Sequence, residues 1–158
     1  MTTALNALRA SPLATELTPS EIAVLGKLIR LKTLADREVL LAEGAREATL
    51  HVVVSGRVQV VKEHGDDRAL LHTLEPGDLV GELSFMDDVP RYASLVASGP
   101  TEVLCLARAD LETLIELEPR VVYKIMRAVM RVAHGVQRRL SLQMRDLENY
   151  LYRPGAKY

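Results

Sequence analysis

Aromatic side chains are scarce in this chain: one Phe, five Tyr and no Trp among 158 residues, or 4%. A buried core must therefore be aliphatic, drawn from a hydrophobic fraction of 48%. Cysteine is scarcer still. Cys105 stands alone, so neither an internal disulfide nor a cysteine metal cluster can form. Neither sign of charge dominates, with 20 Lys and Arg against 21 Asp and Glu and a net charge of −1. The basic footprint of a nucleic-acid-binding domain is missing. No apolar run reaches the roughly 18 residues that a membrane span requires. The N-terminus, Met1 to Ala10, lacks the basic region and long apolar stretch of a signal peptide. A soluble, cytoplasmic protein is expected, as one domain over residues 1–158, long enough to bury a core.

What is present falls into three regions. Residues 1–33 read as helical. Thr18-Pro19-Ser20-Glu21 has the spacing of a capping box, with Thr18 as N-cap, Pro19 at the first helical position and Glu21 reaching back. Ile22, Leu25, Leu28 and Ile29 follow at helical spacing. Residues 34–108 switch to short apolar runs: Val39–Leu41, His51–Val54, Val58–Val61, Ala69–Leu74, Ser94–Ala97 and Glu102–Leu106. Such runs, recurring every roughly 8 to 12 residues and ended by Gly, Pro or Asp, predict an antiparallel sandwich or barrel. Residues 109–150 turn helical again. Asp110 is expected to cap a short helix through Leu117, and Pro119 to start a long one reaching about Tyr150. Along it Val122, Ile125, Val129, Val132 and Val136 make a heptad-like seam, and Met126, Met130, Ala133, Leu140, Met144 and Leu147 a second stripe. One stripe is expected to cover the barrel and the other to meet a second chain, which predicts a homodimer through this helix.

The barrel has one long interruption, within residues 77–94: Gly-Asp-Leu-Val-Gly-Glu-Leu-Ser-Phe-Met-Asp-Asp-Val-Pro-Arg-Tyr-Ala-Ser. Long interruptions in compact domains are usually functional. Gly81 lets backbone approach a ligand with no Cβ in the way. The N–H groups after it, from Glu82 through Leu83 and Ser84, would point at an anion if they open a helical turn. Arg91 adds a planar, permanently charged fork suited to phosphate oxygens. Glu82 has the opposite sign, and its task is to accept hydrogen bonds from hydroxyls. The segment thus reads as a pocket for a small molecule with both a phosphate and a hydroxylated sugar.

The order of helices, barrel with an internal Gly-Glu…Pro-Arg cassette, short helix and long helix resembles the cyclic-nucleotide-binding domain. That family is shared by catabolite-activator regulators and the regulatory subunits of cyclic-AMP-dependent kinase. The resemblance covers about residues 17–140 and rests on Gly44, Ser55-Gly56-Arg57-Val58, Pro76-Gly77-Asp78, Gly81-Glu82-Leu83 and Pro90-Arg91-Tyr92-Ala93. It implies an α+β fold: an antiparallel β-roll of double-stranded β-helix, jelly-roll-like form, with N-terminal helices and a short plus a long C-terminal helix. It also implies cyclic AMP or cyclic GMP as ligand, no other cofactor and no metal. Glu82 would hold the ribose 2′-hydroxyl and Arg91 the cyclic phosphate, with backbone contacts around Gly81, Leu83, Tyr92 and Ala93. Residues near Val136 and Gln137 on the long helix would face the purine.

Two departures from the family pattern stand out. Tyr92 occupies a position where the family usually has a small residue, and its ring would crowd the phosphate if it pointed inward. The transcription-factor members also continue into a helix-turn-helix domain, and the residues after the long helix here are too few for one. Direct DNA binding is not expected, and the output partner is an unidentified protein. Binding is expected to order the cassette against the 110–117 helix and so reposition the long helix. His51, His64, His72 and His134 show no His-x-His spacing, which argues against the metal catalysis of cupin-type barrels. A non-enzymatic sensor is the reading, with a ligand-free dimerisation module of the same fold as the alternative.

Overall fold

The computed structural model describes residues 3–152; the tail read after the long helix lies outside the described residues from Arg153 onward. Helix α1 (Ala4–Ala10) is capped by the Thr3 hydroxyl, and a single 3-10 turn (Pro12–Ala14) leads to α2 (Pro19–Gly26). The capping box forms as its spacing predicts. Thr18 Oγ1 accepts from the Glu21 amide at 3.3 Å, and Glu21 Oε2 accepts from the Thr18 amide at 2.8 Å.

Strands β1 (Arg30–Leu34), β2 (Val39–Leu41), β3 (Thr49–Ser55), β4 (Val58–His64), β5 (Asp67–Leu74) and β6 (Leu79–Val80) follow. Then come α3 (Glu82–Asp87), β7 (Ser94–Ala97), β8 (Thr101–Ala107), α4 (Arg108–Glu112) and α5 (Pro119–Leu151). All pairings are antiparallel, in two four-stranded sheets ordered β1-β8-β3-β6 and β2-β7-β4-β5. This is the expected β-roll with helices at both ends of the chain.

Three local readings need correction. Leu28 and Ile29 lie past the end of α2, because β1 starts at Arg30 and pairs with β8 from Arg30↔Cys105 to Leu34↔Thr101. Cross-strand pairing outweighs an apolar spacing that fits a helix. The two-residue β6 has no strand signal of its own and exists through its pairing with His51 and Val52 of β3. Asp110 is not an N-cap: β8 stays extended to Ala107, the cap of α4, and Asp110 falls in that helix's first turn.

The central sheet is buried on both faces, and alternation sorts its side chains. Leu50, Val52, Leu104 and Leu106 face the helices and pack with Leu8, Leu25, Phe85, Val121 and Ile125. Val53, Val80 and Val103 face into the roll, with Leu34, Val58 and Leu95. As the composition requires, both clusters are aliphatic apart from Phe85. Helix α5 divides in the same way. Val121, Ile125, Ala128 and Val129 are buried against the chain itself, and Lys124 and Arg127 pair with Glu21 and Glu16 of the N-terminal region. Met130, Leu140, Met144 and Leu147 are exposed. Ile125 and Val129 of the β-branched stripe are therefore buried while Val136 is exposed, and of the second stripe Met126 packs against the core while the members from Leu140 onward face outward.

Candidate functional site

A cavity of about 540 Å³ opens beside the 77–94 segment, within the roughly 300–1,000 Å³ usual for small-molecule sites. Gly81, Glu82, Ser84, Arg91, Tyr92, Ala93 and Val136 all line it. Its walls are otherwise mainly aliphatic, from Val60 and Leu74 on one sheet, Leu79 and Val80 on the other, and Val89 and Leu95.

The phosphate-type end is built around Arg91. Backbone fixes it first: Gly44 N donates to Arg91 O at 2.7 Å, and Arg91 N donates to Ala45 O at 2.9 Å. Its guanidinium turns inward and is 7% exposed. Nη2 donates to Thr49 O at 2.9 Å and to Glu47 O at 3.1 Å, while Nε is buried with no partner. Burial works against the charge, and the carboxylates of Glu47 and Glu82 partly offset that without pairing directly. An unpaired buried charge is costly, so an anion beside this guanidinium would be favoured.

Gly81 answers the geometry as expected. Its φ of 86° is left-handed, and a Cβ there would come within 1.9 Å of Arg91 Nη1. It caps α3, whose first turn closes with Phe85 N donating to Gly81 O at 2.8 Å. The amides of Glu82, Leu83 and Ser84 precede the first intrahelical bond and are available to an anion. Asp88, with φ 55°, ends the helix. Ser84 is 6% exposed and Ala93 4%, so both belong to the cavity's inner wall.

Tyr92 points outward. It is 66% exposed at the cavity rim, its ring 5.7 Å from the Lys62 ammonium. Lys62 also donates to Tyr92 O and pairs with Glu43, which lowers the Glu43 carboxyl below its ordinary range. The ring therefore leaves the phosphate end open.

Helix α5 meets the cavity through Val136 and Arg139, one turn apart. Gln137 does not line it. A step of one residue turns a helix by about 100°, and Gln137 lies with His134, Arg138, Ser141 and Leu142 on another face. Arg139 carried no role in the sequence reading, yet it lines the cavity and comes to 4.0 Å from Asp78 Oδ1. The i, i+3 spacing from Val136 is the signal that would have found it.

His51 sits inside the roll, 2% exposed, with Nδ1 3.3 Å from Cys105 Sγ and Nε2 unpartnered. Burial, and then the charges of Arg91 and Lys32, push its ring from 6.5 to about 4, so it is neutral at pH 7. Burial pushes the Cys105 thiol up to about 11, which leaves it a packing residue and not a nucleophile. Among the described residues, no three His, Cys, Asp or Glu side chains gather as a metal site. None of the described helices is long and apolar enough to cross a membrane.

Fold and cavity together are those of a β-roll with a pocket beside a short inserted helix. The family model of the cyclic nucleotide-binding domain matches residues 31–118, and the chain belongs to that family, a regulatory domain. Among curated proteins it is similar to the Cyclic AMP receptor protein of Thermus thermophilus, 31% identical over 125 residues, covering 78% of this chain and 58% of that one. It is also similar to the Acetyltransferase Pat of Mycolicibacterium smegmatis, 28% identical over 86% of this chain and 40% of the enzyme. Among solved structures, the N-terminal domain of a transcriptional regulator from Streptomyces coelicolor superposes with a TM-score of 0.69 at 30% identity, covering 85% of this chain and 94% of that one. The chain thus spans about half the length of these curated relatives.

Proposed function

We propose that this chain is a cytoplasmic cyclic-nucleotide sensor whose 77–94 segment binds cyclic AMP, with cyclic GMP as the competing ligand. The observation that carries the reading is Arg91: a buried guanidinium, held by two carbonyls and stacked on a left-handed glycine, with Nε unpartnered beside the cavity. That arrangement suits a compact anion. Glu82, directly after Gly81, lines the same cavity, where it would accept hydrogen bonds from the sugar hydroxyls. Val136 and Arg139 would cover the purine, and Gln137 leaves the predicted ligand set. Cyclic AMP is placed first because the Thermus thermophilus relative is named for it.

Ligand changes output by its differential affinity for two arrangements of the helices. The exposed row Met130, Leu140, Met144 and Leu147, with the half-buried Ala133 between them, supports a homodimer along α5, since an apolar row at heptad spacing fits a second copy. The output would be read by another segment or another protein, with no catalysis, metal or direct DNA contact by these residues.

Calorimetric and thermal-shift titration with both nucleotides tests the sensor. A ligand at a hundredfold its Kd adds about 2.7 kcal/mol of stability. No response to either at millimolar concentration overturns the reading. Arg91→Ala should weaken binding by on the order of a hundredfold, as loss of a buried charged partner does. Sedimentation tests the dimer: a wild-type monomer at high concentration refutes it, and Leu140→Lys should dissociate it.

A further inference from the structure

Helix α3 carries two cavity-lining residues, Glu82 and Ser84, at its start. Its far end presents carbonyls with no successors to bond, the ordinary condition of a helix C-terminus. One side chain from another element answers them. Arg108, the first residue of α4, donates from Nη1 to Phe85 O and Met86 O, both at 3.4 Å, and from Nη2 to Asp88 Oδ1 at 2.8 Å. Its Nε lies 3.5 Å from Glu112 Oε1, one turn further along α4. The Arg108 side chain is 27% exposed, whereas Asp88 and Glu112 are 65% and 57% exposed, so the guanidinium is half-buried while its two acids face solvent.

Phe85 is buried in the same core cluster as Leu111 of α4 and Leu114 just beyond it. Apolar contact is non-directional, and it holds α3 in place without setting its angle. The guanidinium does set it, since one planar fork meets two helix carbonyls, the capping carboxylate and an acid of its own helix. A lysine has a single ammonium and cannot reproduce that geometry. Among the described residues Arg46 adds a further tie to this end, from Nη1 to Asp88 O, at the same 3.4 Å as the two Arg108 bonds to the helix carbonyls.

We infer that Arg108 is the positioning residue that locks α3 to α4, so that a ligand ordering α3 also restrains α4 and the start of α5. The inference rests on the cyclic-nucleotide reading of the cavity. It assigns the route from cavity to long helix to one side chain outside the ligand's reach.

Hydrogen exchange on the whole protein, with and without cyclic AMP, tests it. In the wild type the nucleotide should slow exchange at residues 85–88 and 109–118 together. In Arg108→Ala the nucleotide still binds, within about tenfold of wild-type affinity, the scale of one charged hydrogen bond lost at a distance from the ligand. Slowing at 85–88 persists there, while slowing at 109–118 is lost. Arg108→Lys should behave as Arg108→Ala. A wild-type response at 109–118 in either variant overturns the clamp. A ligand-free comparison separates this inference from the sensor reading. Without any nucleotide, Arg108→Ala should speed exchange at 85–88 by about tenfold, as local opening becomes easier. If cyclic AMP fails to bind the wild type, the sensor reading falls; if exchange at 85–88 is unchanged in ligand-free Arg108→Ala, the clamp falls.

Discussion

Residues 91–94 are tied to the roll largely through their backbone, whereas residues 82–88 hang on side chains. At the first end, Gly44 and Ala45 bracket Arg91, Glu43 N donates to Ser94 Oγ at 2.9 Å, and Lys62 reaches Tyr92 O. At the second, Phe85 is plugged into the helical core and Arg108 grips the carbonyls. Backbone pairing survives most substitutions, but an anchor made of one phenyl ring and one guanidinium does not. The arginine is thus held by the roll itself, while α3 hangs on two side chains. On the proposed sensor reading, the less firmly held part is the one that would report occupancy.

Substitutions at the two ends should separate them. Phe85→Ala should cost about 3–5 kcal/mol, the usual range for a fully buried ring. Urea denaturation reads this, and a loss below about 1 kcal/mol would mean that α3 does not depend on its anchor. Next comes His51, on the rigid side beneath Arg91. Its folded-state value of about 4 lies below 6.5, so the unfolded chain takes up the proton first as pH falls. The associated stability is fully present above pH 6.5 and is lost on the way down to about pH 4. The span corresponds to about 3 kcal/mol. Unfolding curves of wild type and His51→Gln across that window should converge toward low pH, and parallel curves would refute the assignment.

Gly81→Ala lies where the two ends meet. The left-handed backbone and the approach to Arg91 Nη1 should together cost about 1–3 kcal/mol, and nucleotide affinity should drop as the guanidinium is pushed aside. Unaltered affinity by calorimetry would show that Arg91 has room the structure does not give it. Smallest is Tyr92→Ala. The exposed ring should change stability by no more than about 0.5 kcal/mol, and nucleotide affinity should stay within a few-fold. A large gain in affinity would mean that the ring had obstructed the phosphate after all.

Much of this arrangement was legible in the residue order. Turn residues and short apolar runs announced the roll, and the capping box announced α2 at Thr18. Gly81 and Arg91 declared themselves because their chemistry is rare: one tolerates a positive φ, the other carries a permanent fork. What escaped was set by partners distant in sequence. The strand at Arg30–Leu34 depends on β8 some seventy residues later. The carbonyls of Glu47 and Thr49 that hold Arg91 are backbone atoms, on which side-chain identity is silent. Gln137 was assigned to the cavity because a register error of one residue turns a helix by about 100°. Arg108 gave no local sign, since its acceptors lie 20 to 23 residues earlier.

Helix α5 runs 33 residues from Pro119 to Leu151, a rod of roughly 50 Å at 1.5 Å per residue. Its first turns are clamped by the core and by Glu16 and Glu21, its middle meets the cavity through Val136 and Arg139, and residues 140–151 are exposed. The geometry is that of a lever with a short inner arm. A tilt of about 10° about Met130 would sweep Leu151, roughly 32 Å further along, through about 5 to 6 Å. Sub-ångström adjustments at α3 would then reach a neighbouring molecule already magnified, with no need for the roll itself to deform.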